Sequence, residues 1–410
     1  MEYYNKAIHG VDLFALMNSS DDNHEIIENR LYNTITQTLK SKIDKAKNHL
    51  GYPVVPINKQ KGIKYIIKNY GHIFFNNPGD PWGKLNYQLN TKDFERAVMM
   101  YTAQLYQVEN YWGYVTTGST EGNLSALYTA RETLRGNCPN LTLLYSSASH
   151  YSVAKSGKIL DLETQKIQST EHGELDYSIL HDFLSNPLRE DQGYIVNLNI
   201  GTTMTGAIDS ITKVIEIFRK LKIQHYYIHA DAAFYGFVYH GMHKYEDLFA
   251  LGLSSIAISA HKFLNIPMPA GVVLYNSNIV YCHVKGCSDY IDYIGSLDNT
   301  ITGSRNGLCS ILMWFALSRN GSKLLLDFKK MVSRATNFAN KLKNRSIYTI
   351  YNEGQLIVAF AKPSDDLCLE YNLATEGNLA HICFMQNVSN RLIDKFYMDY
   401  ICENSRSKAL

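Results

Sequence analysis

The segment Ser254–Gly271, SSIAISAHKFLNIPMPAG, runs an apolar stretch straight into a lysine. A lysine is costly to bury unless it is paired or neutralised. Either the strand has ended and Lys262 meets water, or the position has a chemical use. For an isolated His-Lys pair the solvent reading is the ordinary one, because charged residues are mostly exposed. What decides is whether other polar residues stand at the ends of other apolar runs.

Working outward, they do. Strand-like runs cover 141–146 (LTLLYS), 193–199 (GYIVNLN), 226–230 (YYIHA) and 254–259, and lead into SASHYSVAK, IGTTMTGAID, DAAFYG and the lysine segment. Helical spacing is read over 92–108, 121–135 and 209–221, with a further strand over 271–275 (GVVLY) and a loop at YWGYVTTGST. Strands alternating with helices predict βαβ units, and apolar strands predict a mostly parallel sheet covered on both faces. Residues 24–49 carry apolar residues at helical spacing. Residues 50–90 are rich in Gly, Pro and Asn and read as irregular chain. After about 320 the texture changes to a helix over 321–345, short strands in SIYTIYN, QLIVAFA and AHICFMQ, and a last helix near 389–402. The expected organisation is an N-terminal helical segment (1–55), a large α/β domain (56–318) and a smaller C-terminal α+β domain (319–410).

Composition narrows the function classes. Lys+Arg number 40 against 38 Asp+Glu, a net charge of +2, which is no electrostatic footprint for nucleic acid or a membrane surface. The seven cysteines are odd in number and contain no CxxC, and the first 20 residues lack a basic region followed by a sustained apolar one. Reduced thiols in a cytoplasmic protein are expected. No apolar run approaches 18 residues, so no membrane-spanning helix is expected.

Open parallel sheets bind ligands beyond the carboxyl ends of their strands. His150, Thr202, Asp231 and Lys262 all follow strand-like runs. Pyridoxal phosphate catalysis wants an aspartate and a lysine at such a place. The lysine amine forms a Schiff base with the cofactor aldehyde, and the aspartate keeps the pyridine nitrogen protonated. Asp231 and Lys262 are one expected strand–helix–strand crossover apart, and Ala233 leaves room for a flat ring. Alone, Asp231 could equally be a turn residue or helix cap. TTGSTEGN (116–123) opens a helix, so the amides of Gly118, Ser119 and Thr120 make an anion site, although such a cluster is commonly just a cap. Ser259 and His261 flank the lysine and could add donors. His150 could stack on a ring, or be an ordinary core histidine. His229, His240 and His243 have a spacing that suits no usual metal set, and none is expected.

Taken in order, NNPGDPWG…NYQLNTKDFE, YWGYVTTGSTEGN, SHYSVAK, NIGTTMTGAID, YIHADAA, SAHKFLNIPMPAGV and TITGSRNG resemble the bacterial pyridoxal-phosphate histidine decarboxylases. The plant serine decarboxylases share much of the pattern. Both are group II amino-acid decarboxylases with the aspartate-aminotransferase-like fold (fold type I). The similarity runs from about Gly51 into the C-terminal domain, where NLATEGNLAHI continues it. The resemblance implies pyridoxal 5'-phosphate as cofactor, Lys262 as its anchoring lysine and Asp231 as its pyridinium partner. It makes His150 the ring-stacking histidine near the substrate carboxylate. Gly118, Ser119, Thr120, Thr202, Ser259, His261 and Ala233 complete the cofactor set. Tyr293 is implied near the active site across a dimer interface, and Ser304 is a candidate for touching the substrate side chain.

The implied reaction is decarboxylation of L-histidine through an external aldimine and quinonoid. Serine is the second candidate substrate, and a different pyridoxal-phosphate reaction or a catalytically silent binding protein the rivals. Lys262, His150 and Tyr293 are the candidate proton donors to the α-carbon. Arg305 is expected to serve structure, and the partners implied are an amino-acid substrate and a second copy of the chain. Thr117 and Ser119 stand where the family usually has Asn and Gly, Ala260 where it has Gly, and Ala270 where it has Cys. A serine at a position needing positive φ would carry strain.

Overall fold

Gln192–Asn199 is buried along its whole length, as a strand covered on both faces must be. The sheet around it organises the computed structural model, which describes residues 24–56, 59–186, 192–242, 245–279 and 290–407. The described residues start with α1 (His24–Lys45), α2 (Lys61–Tyr70) and α3 (Lys92–Leu105). Next come β1 (Tyr111–Thr116), α4 (Ser119–Arg135), β2 (Asn140–Ser146), α5 (Tyr151–Ile159), β3 (Glu163–Ile167), α6 (Tyr177–Leu184) and β4 (Gln192–Asn199). The large sheet is completed through α7 (Ile211–Lys220), β5 (Tyr226–Asp231), β6 (Ser255–Ser259), the single-turn α8 (Ala260–Phe263) and β7 (Gly271–Asn276). A small hairpin, β8 (Tyr290–Ile291) with β9 (Ser296–Leu297), precedes the long helix α9 (Gly307–Lys343). The chain ends with β10 (Thr349–Tyr351), β11 (Ile357–Ala361), α10 (Asp365–Glu370), β12 (Ala374–Glu376), β13 (Leu379–Cys383) and α11 (Asn390–Ser407).

The large sheet has the order β1-β7-β6-β5-β4-β2-β3. β3, β2, β4, β5 and β6 are parallel, and β7 runs antiparallel to both β6 and β1. β1 therefore points the same way as the parallel strands, and its carboxyl end joins theirs. Successive strand residues face opposite sides: Ile195 and Tyr227 join one apolar cluster with Ala126 and Leu127 of α4, while Val196 and Ile228 join the other. The second sheet, β10-β11-β13-β12, is antiparallel.

Several expectations change. YWGYVTT is mostly β1 rather than a loop. Gly113 reads as a breaker, but a Cβ there would lie 2.2 Å from the Val273 carbonyl oxygen, so glycine is what lets β1 seat against β7. The link from Asp231 to Lys262 is not a helical crossover, since the described residues between β5 and β6 hold only a 3₁₀ turn at Tyr239–Gly241. α2 forms inside the stretch read as irregular, because Ile63 and Ile66 bury and Gly62 sits under the Phe315 ring. α9 begins at Gly307, well before the expected 321, and runs across position 319. Gly321 lies in mid-helix, where buried Leu312, Met313 and Ala316 before it and Leu324, Phe328 and Met331 after it keep one helix packed.

Arg305 is buried against Glu95, and its guanidinium also donates to the Gly79 carbonyl at 2.9 Å. Glu95 accepts from Val115 N at 2.9 Å and from Asn77 Nδ2 at 3.0 Å. The pair thus ties α3, β1 and the 300–307 segment together, and breaking such a buried pair is far more costly than never having built it.

Candidate active site

Five chain segments reach one cavity of about 330 Å³ at the carboxyl edge of the sheet. Thr117–Thr120 arrive after β1, His150 after β2, Asn199–Thr203 after β4, Asp231 and Ala233 at the end of β5, and Ser259–Lys262 after β6. Asn199, Asp231 and Ser259 are the last residues of their strands, and the others follow within four residues of a strand end.

Lys262 and Asp231 are the opposed charges. Burial holds the Lys262 amine below its ordinary value, and Asp231 and then Cys383 pull the other way. Asp231 is almost fully buried and accepts two hydrogen bonds, from Asn123 Nδ2 at 2.7 Å and Ala233 N at 3.1 Å. His150 caps α5: its Nδ1 accepts from Ser152 N at 3.3 Å and lies 2.8 Å from Ser152 Oγ. Burial lowers its pKa, with Asp231 opposing and Lys262 assisting. With Nδ1 accepting, the neutral ring carries its proton on Nε2. Burial also lowers the pKa of His261, against its contact with the Ala270 carbonyl.

Helix α4 has 17 residues and begins at the cavity, with Gly118 as N-cap at φ 129°. Positive φ falls on Gly118, which keeps the family's glycine, and not on Ser119. The serine therefore carries no such strain. It makes a contact instead, with Ser119 Oγ 2.9 Å from Ser259 Oγ and the Ser119 amide donating to the same oxygen at 3.2 Å. Gly118 N donates to Thr116 Oγ1 at 3.3 Å. Two of the three expected amides thus have local acceptors, and the Thr120 amide lies in the first turn, where no intrahelical acceptor exists. Thr117 donates through both its amide and its hydroxyl to Glu121 Oε2, at 2.8 and 2.7 Å.

Of the residues singled out from sequence, Gly118, Ser119, Thr120, His150, Thr202, Asp231, Ala233, Ser259, His261 and Lys262 line this cavity together. Tyr293 does not: it is 84% exposed on the β8–β9 turn. Ser304 is exposed and accepts from Asn76 Nδ2 at 3.3 Å. His229 is buried, His240 is exposed, and His243 lies outside the described residues, as do Cys282 and Cys287. Sequence reasoning missed Asn123, Asn199 and Ser152. Asn123 stands four residues after Ser119, on the same helix face, and Asn199 ends a strand; either signal could have found them. A second cavity of about 610 Å³ shares His150, Thr202 and Thr203 and extends toward Glu376 and Leu379 of the smaller sheet.

Two buried histidines and one buried aspartate contribute to the acid response, and the burial-lowered His49, His150, His240 and His261 act in the same direction as the two histidines. Burial pushes His229 and His381 down to about 4 from the ordinary 6.5. Burial pushes Asp209 up from 3.8 to about 6, opposed by N–H donors from Leu175 and Asn199. The histidine contributions are complete above pH 6.5 and are lost as pH falls toward 4. The Asp209 contribution is present below pH 3.8 and is lost as pH rises through 6. Two losses of similar size outweigh one gain, so stability is expected to fall by about 1 kcal/mol or more between pH 7 and pH 4.5. Urea unfolding at the two pH values measures it, and an unchanged or higher midpoint at pH 4.5 would refute it.

The donor set fits pyridoxal phosphate: an amine, a carboxylate, a helix N-terminus ringed by hydroxyls, a flat imidazole and a small Ala233 beside it. Comparison with known proteins agrees. A pyridoxal-dependent decarboxylase conserved domain matches residues 95–361. Histidine decarboxylase of Solanum lycopersicum is 34% identical over 393 residues, covering 94% of this chain and 92% of that protein. Serine decarboxylase 2 of Oryza sativa subsp. japonica is 38% identical over 347 residues, covering 83% and 71%. Histidine decarboxylase of Morganella morganii is 37% identical over 350 residues, covering 82% and 88%. The crystal structure of L-methionine decarboxylase from Streptomyces sp. 590 shares the fold, with a TM-score of 0.79, 24% identity and coverage of 92% and 94%.

Proposed function

This chain belongs to the pyridoxal-dependent decarboxylase family, and on that premise we propose that it converts L-histidine to histamine and carbon dioxide. Its cofactor, pyridoxal 5'-phosphate, when bound supplies the electron sink for the pair left behind as the carboxyl group departs. The chain's residues position and protonate. Lys262 anchors the cofactor through an amine that burial leaves less basic than an ordinary lysine, and so a readier nucleophile near neutral pH. Asp231 holds the proton on the ring nitrogen. His150 covers the ring face and offers Nε2–H to the substrate carboxylate. The first turn of α4, with Ser259, His261 and Thr202, receives the phosphate. Lys262 or His150 returns a proton to the α-carbon, or Tyr293 does so from a second copy.

The observation that carries the reading is that Lys262 and Asp231 line one cavity together with the start of α4. Histidine is favoured by the likeness to the tomato and Morganella enzymes. Charge supports a side chain that is not acidic, because Lys262 is the only Lys or Arg among the described residues lining the two cavities, and Arg305 is consumed by Glu95. Serine is the second reading, resting on the likeness to the rice enzyme. The test is to supply the purified protein and cofactor with each amino acid and assay the amine. Ethanolamine without histamine would replace histidine by serine, and neither amine would end both assignments.

The same reading makes the protein a cytoplasmic homodimer. Ile26, Leu31, Ile35, Leu39 and Ile43 of α1 are all exposed in the single chain, a stripe that a second copy would cover. Tyr293 needs that copy to reach a cavity. Light scattering is expected to give twice the chain mass, and a single-chain mass would sink this part.

A further inference from the structure

Histidine 229 is the buried titratable group that the proposed chemistry leaves unused. It lies in β5 two residues before Asp231, so both side chains project from the same face of the strand. In the parallel register His229 pairs with Ser255 of β6, which brings the Ser255 hydroxyl to 2.8 Å from His229 Nδ1. On the other side, His229 Nε2 is 3.0 Å from Asn123 Oδ1. Asn123, 1% exposed, donates from Nδ2 to Asp231 Oδ2 at 2.7 Å.

The direction of these bonds can be derived. A carboxylate only accepts, so the Asn123 amide must turn its NH₂ to Asp231 and its oxygen to His229. That oxygen needs a donor, which places the imidazole proton on Nε2. Burial keeps the ring neutral, so Nδ1 has a lone pair and accepts from Ser255. Every hydrogen points the same way: Ser255 to His229, His229 to Asn123, Asn123 to Asp231. A fully satisfied chain in a buried setting is mutually reinforcing and rigid.

We infer that His229 is a positioning residue that acts through Asn123 to hold the Asp231 carboxylate in its observed orientation at the cavity. The inference rests on reading Asp231 as the group that meets the ring nitrogen. An imidazole is not needed merely to fill the space between β5 and α4, because an apolar side chain would fill it. What leucine lacks is the N–H that fixes the Asn123 amide. Without that donor Asn123 keeps a buried, unpaired oxygen and can rotate away from Asp231. Glutamine is the informative replacement, since its terminal NH₂ reaches about as far as the Nε2 edge of the ring.

The experiment compares His229→Leu with His229→Gln. Cofactor dissociation constants are read by absorbance titration, kcat and KM by amine release, and folding by thermal melts of the cofactor-free protein. His229→Leu is expected to weaken cofactor binding and lower kcat by roughly 10-fold each, the low end for losing a supporting hydrogen-bond partner, with KM for the amino acid within about 2-fold. His229→Gln is expected to recover most of both losses. If His229→Leu does not fold, ¹⁵N spectra of the imidazoles in the unaltered cofactor-free chain decide, with the His229 signal assigned by its loss in the glutamine variant: a neutral ring protonated at Nε2 supports the chain. A ring protonated at Nδ1 overturns the inference, as do native constants in the leucine variant or a glutamine variant as impaired as the leucine one. Asp231→Asn separates the two levels. If it binds cofactor and turns over normally, the reading of Asp231 fails. If it is crippled while both His229 variants behave as native, only the present inference fails.

Discussion

Lys262→Ala is expected to abolish amine formation, lowering turnover by roughly 10³-fold or more, because the proposed function makes its amine both the anchor of the cofactor and a candidate proton carrier. The fold should survive. Lys262 lies in the one-turn helix α8 between buried Ala260 and Phe263, and alanine keeps that turn while removing a charge that burial disfavours. The expected pattern is a melt of the cofactor-free protein close to native, no visible band with pyridoxal phosphate, and no histamine. A complementary measurement needs no variant. Borohydride reduction of the loaded enzyme followed by peptide mapping should place the fixed cofactor on Lys262. A label on another lysine, or turnover by Lys262→Ala within about 10-fold of native, would overturn the assignment.

The second large effect is expected at Asp231. Asp231→Asn keeps the shape and removes the charge; on the proposed role the ring nitrogen would lose its anionic partner, and kcat should fall on the order of 10² to 10³-fold, the usual loss when one preorganised electrostatic group is deleted. Cofactor binding should weaken less than kcat, because Lys262 and the α4 N-terminus remain. The substitution also has a structural cost. The carboxylate accepts from Asn123 Nδ2 and from Ala233 N, and an amide can present oxygen to only one of these donors. The donor left unpaired costs about 1–3 kcal/mol, read as a lower melting temperature. Near-native kcat at saturating cofactor would mean that Asp231 does not hold the ring nitrogen.

Much of this site was legible in the chain. Short strands followed within a few residues by His150, Thr202 and Lys262, and one ending at Asp231, need only the rule that parallel strands present their carboxyl ends together, and that rule brought all four to one cavity. The helix start in TTGSTEGN was legible from its Gly, Ser and Thr residues, but that Gly118 and not position 119 takes the positive φ was not. These features depend on a few neighbouring residues, and sequence order preserves neighbours.

What sequence alone left open is non-local. β1 was hidden because Gly113 is a breaker by composition and a strand residue only when the Val273 carbonyl lies against it. Only the later part of α9 was legible, as the helix expected over 321–345; its start at Gly307 depends on buried residues on both sides of Gly321 that hold one helix to the core. Asn123 had no visible role until α4 packed across β5 and turned its amide to an aspartate 108 residues away. Tyr293 and Ser304 were named from family order and stand outside the cavity of the single chain. The sequence by itself determined most strand ends, a helix start and the presence of a lysine and an aspartate beside them, since these are written in periodicity and residue type. Only the tertiary structure decided which polar groups bond to which, since hydrogen bonds between distant segments depend on register and packing that no local pattern encodes.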